Sequence, residues 1–326
     1  MPLHTLDLHF QDIPHVIASY AIPHSQGVML IDCGPGSTIE NLKAALKRLG
    51  FQPRDVTDVF LSHIHLDHAG AAGWLAQQGA RIHCHPNGAQ HLIEPEKLLK
   101  SAARIYGEMM DRLWGEFLPV AEDRLVVLED REEIHINELR FTAINTPGHA
   151  EHHLAYLFED VCFTGDVGGV RLPGPPHLRV PMPPPEFNLE KWRASVKQLR
   201  TEKCRRIAPT HFGIFDDAPL HLSRLEKALE EVEEFLVQVM PGDPSLEEIN
   251  ARFLEWMQQR SEADGLDRDQ ANAYEAANPS SMSATGMQRY WRKHRLAPSE
   301  AAAYGTEAAE YGTSGGRRMG EPSGGR

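Results

Sequence analysis

A predicted strand that runs directly into a cluster of metal-ligating side chains constrains this sequence more than any other feature. The β-rich run at 56–61 is followed at once by Ser-His-Ile-His-Leu-Asp-His. In extended geometry His63 and His65 point to the same side, because side chains alternate along a strand, so they can chelate one ion together. Asp67 and His68 lie just past the strand, where the chain turns into a helix, and can face a second ion.

Three further side chains of the same kind stand downstream, each after a predicted strand. His149 follows a strand and a Pro-Gly turn, Asp166 follows a later strand, and His211 follows the last strand predicted in the first two thirds of the chain. Strand ends gather at the edge of a sheet sandwich, so we expect these residues to meet the first cluster. A His-rich surface loop would not explain all of these motifs together.

The chain divides into three parts by its pattern. Strands and helices alternate over residues 1–216, which predicts an α/β domain in two halves. Within it, the prolines of residues 170–185 exclude regular structure and predict a rigid loop after Asp166. Residues 217–296 have apolar side chains at helical spacing and predict a helical C-terminal region. Residues 297–326 offer little to bury, and we expect a disordered tail there.

Composition and charge disfavour several classes of partner. The 326 residues carry 33 basic and 46 acidic side chains, which gives a formal net charge of −13. That balance disfavours a broad surface for nucleic acids or anionic membranes. No apolar run approaches the roughly 20 residues of a membrane helix, and the N-terminus shows no secretory signal. The four scattered cysteines are typical of reduced thiols, so we expect a cytoplasmic protein.

Together, the motifs resemble those of the metallo-β-lactamase superfamily of metallohydrolases over roughly the first 216 residues. The resemblance implies a four-layer αββα sandwich with metals at one edge, here followed by a C-terminal helical extension. Asp32, in Ile-Asp-Cys-Gly, resembles the family's buried acid that orients ligand histidines by hydrogen bonding. His153 matches the histidine of a Gly-His pair found in hydrolase relatives, with His152 in place of the glycine. It either supports the ligands in the same way or is a polar residue of the surface.

The resemblance also assigns the ligands of two divalent ions. They are His63, His65 and His149 for the first ion, Asp67, His68 and His211 for the second, and Asp166 as the bridge between them. Imidazole and carboxylate ligands suit zinc, iron or manganese, and we expect zinc.

This site predicts a dinuclear metal-dependent hydrolase. Two ions a few ångströms apart can share a hydroxide, lower its pKa to near neutral and direct it at a carbonyl carbon. We expect cleavage of a thioester or ester of a small acyl substrate, with Asp67 and Asp166 as the catalytic carboxylates. Asp166 stands where some zinc β-lactamases have a cysteine, so antibiotic hydrolysis is not expected. The bridging aspartate instead resembles hydroxyacylglutathione hydrolases of the glyoxalase II type and lactone hydrolases.

Three other interpretations stay open. The same site suits a lactonase. A mononuclear-iron dioxygenase acting on a persulfide is a second alternative, although one iron would leave Asp67, His68 and His211 idle. A non-catalytic protein with a structural metal is the third, and it predicts a closed site with four ligands.

Three side chains outside the ligand set are candidates for substrate binding. Tyr106 lies on a predicted helix at 95–117, which either packs in the core or forms an apolar wall of the metal cleft. Arg171 and Arg179 lie on the proline-rich loop and can meet a carboxylate or phosphate. The sequence leaves open whether the protein forms a homodimer.

Overall fold

Two β-sheets form the centre of the structure, a computed structural model that describes residues 2–296. The tail predicted for residues 297–326 lies outside the described residues. The first sheet contains, in spatial as well as chain order, β1 (His4–Asp7), β2 (Ala18–His24), β3 (Gly27–Ile31), β4 (Val56–Phe60), β5 (Arg81–Cys84) and β6 (Leu125–Val127). The second contains β7 (Glu133–Ile136), β8 (Leu139–Asn145), β9 (Leu154–Phe158), β10 (Val161–Phe163) and β11 (Arg206–Ala208), in the spatial order β11-β10-β9-β8-β7.

Strand direction brings several carboxyl ends to one edge. In the first sheet the strands from β3 to β6 are parallel neighbours, and β2 pairs antiparallel with both β1 and β3. In the second sheet the pairs are antiparallel except for β10 with β11. It follows that β8, β10 and β11 run in the same direction and end at the same edge.

Helices connect and cover the sheets. They are α1 (Ile39–Arg48), α2 (Leu66–Ala69), α3 (Ala72–Gln77), α4 (Pro86–Ile93), α5 (Glu96–Tyr106), α6 (Met110–Trp114), α7 (Leu189–Thr201), α8 (Ala218–Val239), α9 (Leu246–Ala263), α10 (Arg268–Ala277) and α11 (Ser280–His294). Within residues 2–296, no helix combines the length and the apolar character that crossing a membrane requires.

The apolar alternation of the strands builds four layers, as the family resemblance implies. In β3, Val28 and Leu30 face the helices α1 to α6, whereas Met29 and Ile31 face the second sheet. A third apolar cluster lies between the second sheet and the helices α7, α8, α9 and α11. Because successive side chains point to opposite faces, each sheet has two buried faces. The resulting αββα sandwich with a helical extension is the architecture expected above.

The helix predicted at 95–117 is confirmed in part, because the structure divides it into α5 and α6, joined by a short 3-10 turn. Gly107 and Gly115 end the two pieces with positive φ angles of 51° and 64°. Residues other than glycine rarely adopt positive φ angles. The predicted loop at 170–185 does lack helices and strands among its described residues, apart from an isolated bridge between Val170 and Arg179.

The C-terminal helices hold the proline-rich loop in place. Tyr274 on α10 is 2 % exposed, and its hydroxyl accepts a hydrogen bond from Leu172 N (2.9 Å) and donates one to the carbonyl of His177 (2.8 Å). The imidazole of His177 lies 2.7 Å from Asp264 at the end of α9. The helical extension therefore shapes the loop that follows Asp166.

Tyr274→Phe tests this anchoring. Removing the hydroxyl leaves the buried Leu172 N–H and His177 carbonyl without their partner, so the free energy of unfolding should fall by about 1–3 kcal/mol. Urea denaturation measures the change. Thr201→Ala, which removes an exposed hydroxyl hydrogen bond at a helix end, should change it by less than about 0.5 kcal/mol. Equal effects of the two substitutions would show that Tyr274 does not anchor the loop.

Candidate metal centre

The predicted ligands follow strand ends that meet at one edge of the sandwich. His63 and His65 come after β4, and His149 comes after β8. Asp166 lies in a short 3-10 turn after β10, and His211 follows β11. Each side chain thus leaves a rigid strand and enters a loop at the same edge, as the order of elements in the sequence predicts.

Hydrogen bonds between the two sheets fix this edge. The buried Tyr156 hydroxyl of β9 donates to the carbonyl of Leu61, directly after β4 (2.7 Å). The N–H of Ala18 in β2 donates to the carbonyl of Thr210, directly after β11 (2.9 Å). The loops that carry ligands from both sheets are therefore tied together close to the ligands themselves.

The seven ligand candidates form two groups, and the ligand atoms within each group lie within 4.8 Å of one another. The first group, which we call the three-histidine group, is His63, His65 and His149. The second, the aspartate-histidine group, is Asp67, His68, Asp166 and His211. In the first group, Nδ1 of His65 lies 2.9 Å from Nε2 of His63 and 2.9 Å from Nε2 of His149. The ring nitrogens converge on one point.

Asp166 spans the two groups with its two carboxylate oxygens. Oδ1 lies 3.3 Å from Nε2 of His68 and 3.6 Å from Nε2 of His211. Oδ2 lies 3.4 Å from Nε2 of His149. One side chain thus presents a separate oxygen atom to each group, which is the arrangement a bridging ligand requires.

Buried polar atoms without partners show that the site fits metal ions. Nε2 of His68 and Oδ1 of Asp166 are buried without a hydrogen bond. Such atoms are costly unless something binds them. Burial lowers the pKa of His68, but the carboxylates of Asp67, Asp166 and Asp32 raise it well above its usual value. The field at this point favours a positive charge, and the imidazole and carboxylate donors suit a divalent transition metal.

The histidines of the first group have the charge state that ligands need. Burial lowers the pKa of His63 well below its usual value, and neighbouring histidines lower it further. The same two causes lower the pKa of His65. Neutral imidazoles have a free lone pair, so this group can bind a cation without first losing protons.

Asp32 is the hydrogen-bonding centre beneath the site. It is fully buried, and its Oδ1 accepts a hydrogen bond from Ser62 N (2.7 Å). Its Oδ2 accepts from Ser62 Oγ (2.8 Å) and Thr210 Oγ1 (2.6 Å), and lies 2.8 Å from Nδ1 of His68. The contact with Nδ1 leaves Nε2 of His68 directed at the aspartate-histidine group.

Backbone carbonyls orient two more ligands in the same way. Nδ1 of His149 lies 2.9 Å from the carbonyl oxygen of Pro181, and Nδ1 of His211 lies 2.8 Å from that of Val16. A carbonyl only accepts, so each Nδ1 is the N–H donor, and in the neutral ring the lone pair lies on Nε2. That tautomer is the one in which Nε2 can bind a metal.

His153 contacts the ligand loops without belonging to either group. Its Nδ1 lies 2.8 Å from Thr146 Oγ1, and its Nε2 accepts a hydrogen bond from Val167 N (3.3 Å). Val167 directly follows Asp166, so His153 connects the loop of His149 to the turn of Asp166. That position suits the supporting role, one of the two that the sequence left open.

The three substrate-binding candidates lie in different surroundings. Arg171 makes a two-point ion pair with Asp217 (2.6 and 3.1 Å), and Arg179 pairs with Glu275 (3.0 Å). Both arginines thus connect the proline-rich loop to the C-terminal helices, and a substrate contact for them stays a prediction. Tyr106, at the end of α5, is only half-buried.

Sequence reasoning missed two residues that build the site. Ser62 and Thr210 bond Asp32 with their hydroxyls, and each directly precedes a ligand, His63 or His211. A hydroxyl residue before each of these histidines was the available signal. The sequence could not show that both hydroxyls face one carboxylate, because their strands belong to different sheets.

Asp32→Asn should weaken metal binding by about 10–100-fold, because His68 loses the anion that fixes its orientation. Equilibrium dialysis against buffered zinc, followed by elemental analysis, measures the affinity.

The matched control is Asp58→Asn. Asp58 is also a buried aspartate, 2.7 Å from a buried histidine, His83, but it lies within β4 and outside both groups. Its substitution should leave zinc affinity within about twofold of wild type, because no ligand depends on it. An equal loss in both variants would mean that Asp32 acts through general stability.

Known proteins resemble this chain in sequence. The sequence profile of the metallo-beta-lactamase superfamily matches residues 13–211. The metallo-beta-lactamase fold-containing protein ST1585 of Sulfurisphaera tokodaii is 26% identical over 216 residues, which cover 65% of this chain and 78% of that protein. A hydroxyacylglutathione hydrolase of Shewanella halifaxensis is 27% identical over 144 residues, which cover 44% of this chain and 43% of that enzyme.

Solved structures show the same fold. The crystal structure of ST1585 superimposes with a TM-score of 0.61 and 19% identity, over 88% of this chain and 98% of that one. The metallo-beta-lactamase family protein TTHA1429 of Thermus thermophilus gives a TM-score of 0.65 and 20% identity, over 89% and 93% of the two chains. The profile spans more than half of the sequence and runs from before Asp32 to His211. The chain therefore belongs to the metallo-beta-lactamase superfamily.

Proposed function

We propose that this protein is a dinuclear metal-dependent hydrolase that cleaves a thioester or ester of a small acyl substrate. The observation that carries the proposal is the position of Asp166, whose two oxygens face two different ligand groups. The aspartate-histidine group offers four side chains of its own, in addition to the three histidines of the first group. Four ligands are enough to bind a metal ion firmly. A single ion would use only part of this arrangement.

When bound, two divalent ions supply a hydroxide nucleophile at neutral pH and polarise the carbonyl group that it attacks. The chain's own residues set the geometry. Asp166 fixes the spacing of the two groups. Asp67 is the most exposed member of the second group, with 19 % of its side chain accessible, so it is the member that can meet water and substrate.

Asp67 is suited to orienting the attacking water. Burial alone would raise the pKa of its carboxyl group, but His68 and His211 hold that pKa well below its usual value. Its Oδ2 lies 3.4 Å from Nε2 of His68 and 3.3 Å from Nε2 of His211. The group therefore stays ionised and can accept a hydrogen bond from water at a carboxylate oxygen.

The choice of an acyl thioester or ester draws on the relative from Shewanella halifaxensis. Its name denotes hydrolysis of an acyl group from the thiol of glutathione, and such a bond is a thioester. A lactone is a cyclic ester, and the same groups suit its cleavage. A mononuclear-iron oxygenase would leave the aspartate-histidine group without a role.

Asp166→Ala should lower zinc content and activity together, because both groups lose one ligand. We expect the bound zinc to fall from two ions per chain to one or fewer, and kcat/KM to fall at least about a hundredfold. Elemental analysis and a hydrolysis assay on the same sample measure both. Asp123→Ala, an exposed carboxylate elsewhere on the surface, is the control and should change neither. A fully metallated, active Asp166→Ala protein would exclude the bridging role.

A substrate panel tests the reaction itself. Acyl thioesters, simple esters and lactones of graded chain length are offered to the zinc-loaded protein, and proton release is followed at constant pH. We expect release from thioesters or esters, and none from the Asp166→Ala variant. Release from lactones alone would favour the lactonase. If no substrate of the panel releases protons, and the iron-loaded protein consumes oxygen when a persulfide is added, the hydrolase is excluded and the oxygenase is favoured.

A further inference from the structure

The hydroxyl of Tyr106 has a weak hydrogen-bond partner. It lies 3.2 Å from Sδ of Met282 at the start of α11, a residue 176 positions away in the chain. A phenol is a good donor, whereas a thioether sulfur is a weak acceptor. A ligand oxygen reaching this hydroxyl would therefore gain a better hydrogen bond than the one it displaces.

A second donor lies beside Tyr106. The rings of Tyr106 and Trp114 are in edge-to-face contact, with centroids 5.0 Å apart. Trp114 is 8 % exposed, and its indole nitrogen Nε1 is buried without a hydrogen-bond partner. Buried polar groups of this kind are normally satisfied. Two neighbouring donors without an oxygen acceptor indicate that an acceptor belongs at this place.

Close backbone contacts hold α6 beside the turn that carries two of the predicted metal ligands. Gly70 directly caps α2, which carries Asp67 and His68, and a methyl group on it would lie 2.6 Å from the backbone nitrogen of Gly36. A methyl group on Gly36 would in turn lie 2.9 Å from the carbonyl oxygen of Trp114. Helix α6 is therefore held against the turn that carries the aspartate-histidine group.

Met282 belongs to the opposite side of the centre. The next residue, Ser283, has its Oγ 3.5 Å from the backbone nitrogen of Met182. Met182 follows Pro181, whose carbonyl oxygen orients His149. The contact between Tyr106 and Met282 thus connects an element beside the aspartate-histidine group to one beside the three-histidine group.

The surroundings of this contact are apolar. Met110 and Leu113 on α6 are half-buried. Together with Tyr106 they pack against the apolar cluster between the first sheet and the helices α1 to α6. Ile105 and Met109 are 41% and 40% exposed, so apolar surface at the end of α5 and just before α6 is open to solvent. Methionine side chains are flexible and adapt to apolar ligands of different length.

We propose that Tyr106 binds an oxygen atom of the substrate's acyl group, and that the substrate is an acyl compound with an apolar chain lying against α5, α6 and α11. The assignment of an acyl compound rests on the proposed hydrolase function. The hydroxyl is a donor and therefore requires an oxygen acceptor on the ligand. The apolar side chains around it favour a hydrocarbon chain on the same ligand. A short hydroxyacyl group would use the hydroxyl but leave these apolar surfaces exposed.

Calorimetric titration with carboxylates, the products of such a hydrolase, tests this inference without turnover. Butanoate, pentanoate, hexanoate and octanoate are titrated into the zinc-loaded full chain. We expect the Kd to fall about threefold for each added methylene group, because each buries apolar surface. Tyr106→Phe keeps the ring but removes the donor, so it should raise the Kd of every member about fivefold and leave the dependence on chain length unchanged.

Two further variants complete the test. Met282→Leu keeps the apolar wall but removes the sulfur that competes for the hydroxyl, so it should bind octanoate at least as tightly as wild type. Tyr290→Phe is the matched control, because its hydroxyl contacts Glu190 on α7, and it should leave the Kd unchanged.

An unchanged Kd in Tyr106→Phe, or a Kd independent of chain length, would overturn the inference. If octanoate binds as expected but no ester or thioester is cleaved, the ligand assignment stands and the proposed function fails.

Discussion

One buried carboxylate, Asp32, holds the site together. It accepts hydrogen bonds from the chain after β4 and after β11, which belong to different sheets, and it fixes the ring of His68 between them. A buried carboxylate needs several such partners, and here every partner of its oxygens is a predicted metal ligand or belongs to the residue directly before one. These hydrogen bonds offset the cost of burying the carboxylate. They also position predicted ligands from both halves of the sandwich.

Carboxylates are also concentrated in the candidate metal centre above Asp32. Three carboxylates surround His68, and two atoms facing the centre of the site have no hydrogen-bond partner. Carboxylates collected at this density repel one another unless a cation lies among them. Asp166 reaches both ligand groups, which supports the proposal of two cations held at a fixed separation. In the proposal made above, α5, α6 and α11 select the substrate.

The sequence predicts the parts of this account that depend on local pattern. The ligand-rich turn after β4 and the strand ends that carry His149 and Asp166 follow from alternation and element order. The resemblance to a known family added the αββα layers and completed the pairing of ligands into two groups. Contacts between distant segments, such as that of Tyr106 with Met282, could not be predicted. Neither segment's sequence indicates which other segment it contacts. Gly107 broke a helix whose apolar spacing continued across it.

The arginines of the proline-rich loop illustrate the same limit. Their charge alone suggested an anionic substrate, and only the tertiary structure shows acidic partners for them on the C-terminal side of the chain, at Asp217 and Glu275. A charged side chain on a loop is equally suited to a ligand or to an ion pair.

The most direct test of the central claim is a crystal structure of the zinc-loaded protein with data collected on both sides of the zinc absorption edge. The account predicts two anomalous peaks, one within the three-histidine group and one within the aspartate-histidine group, each in contact with a different oxygen of Asp166. A single peak, or two peaks of which only one touches Asp166, would contradict it.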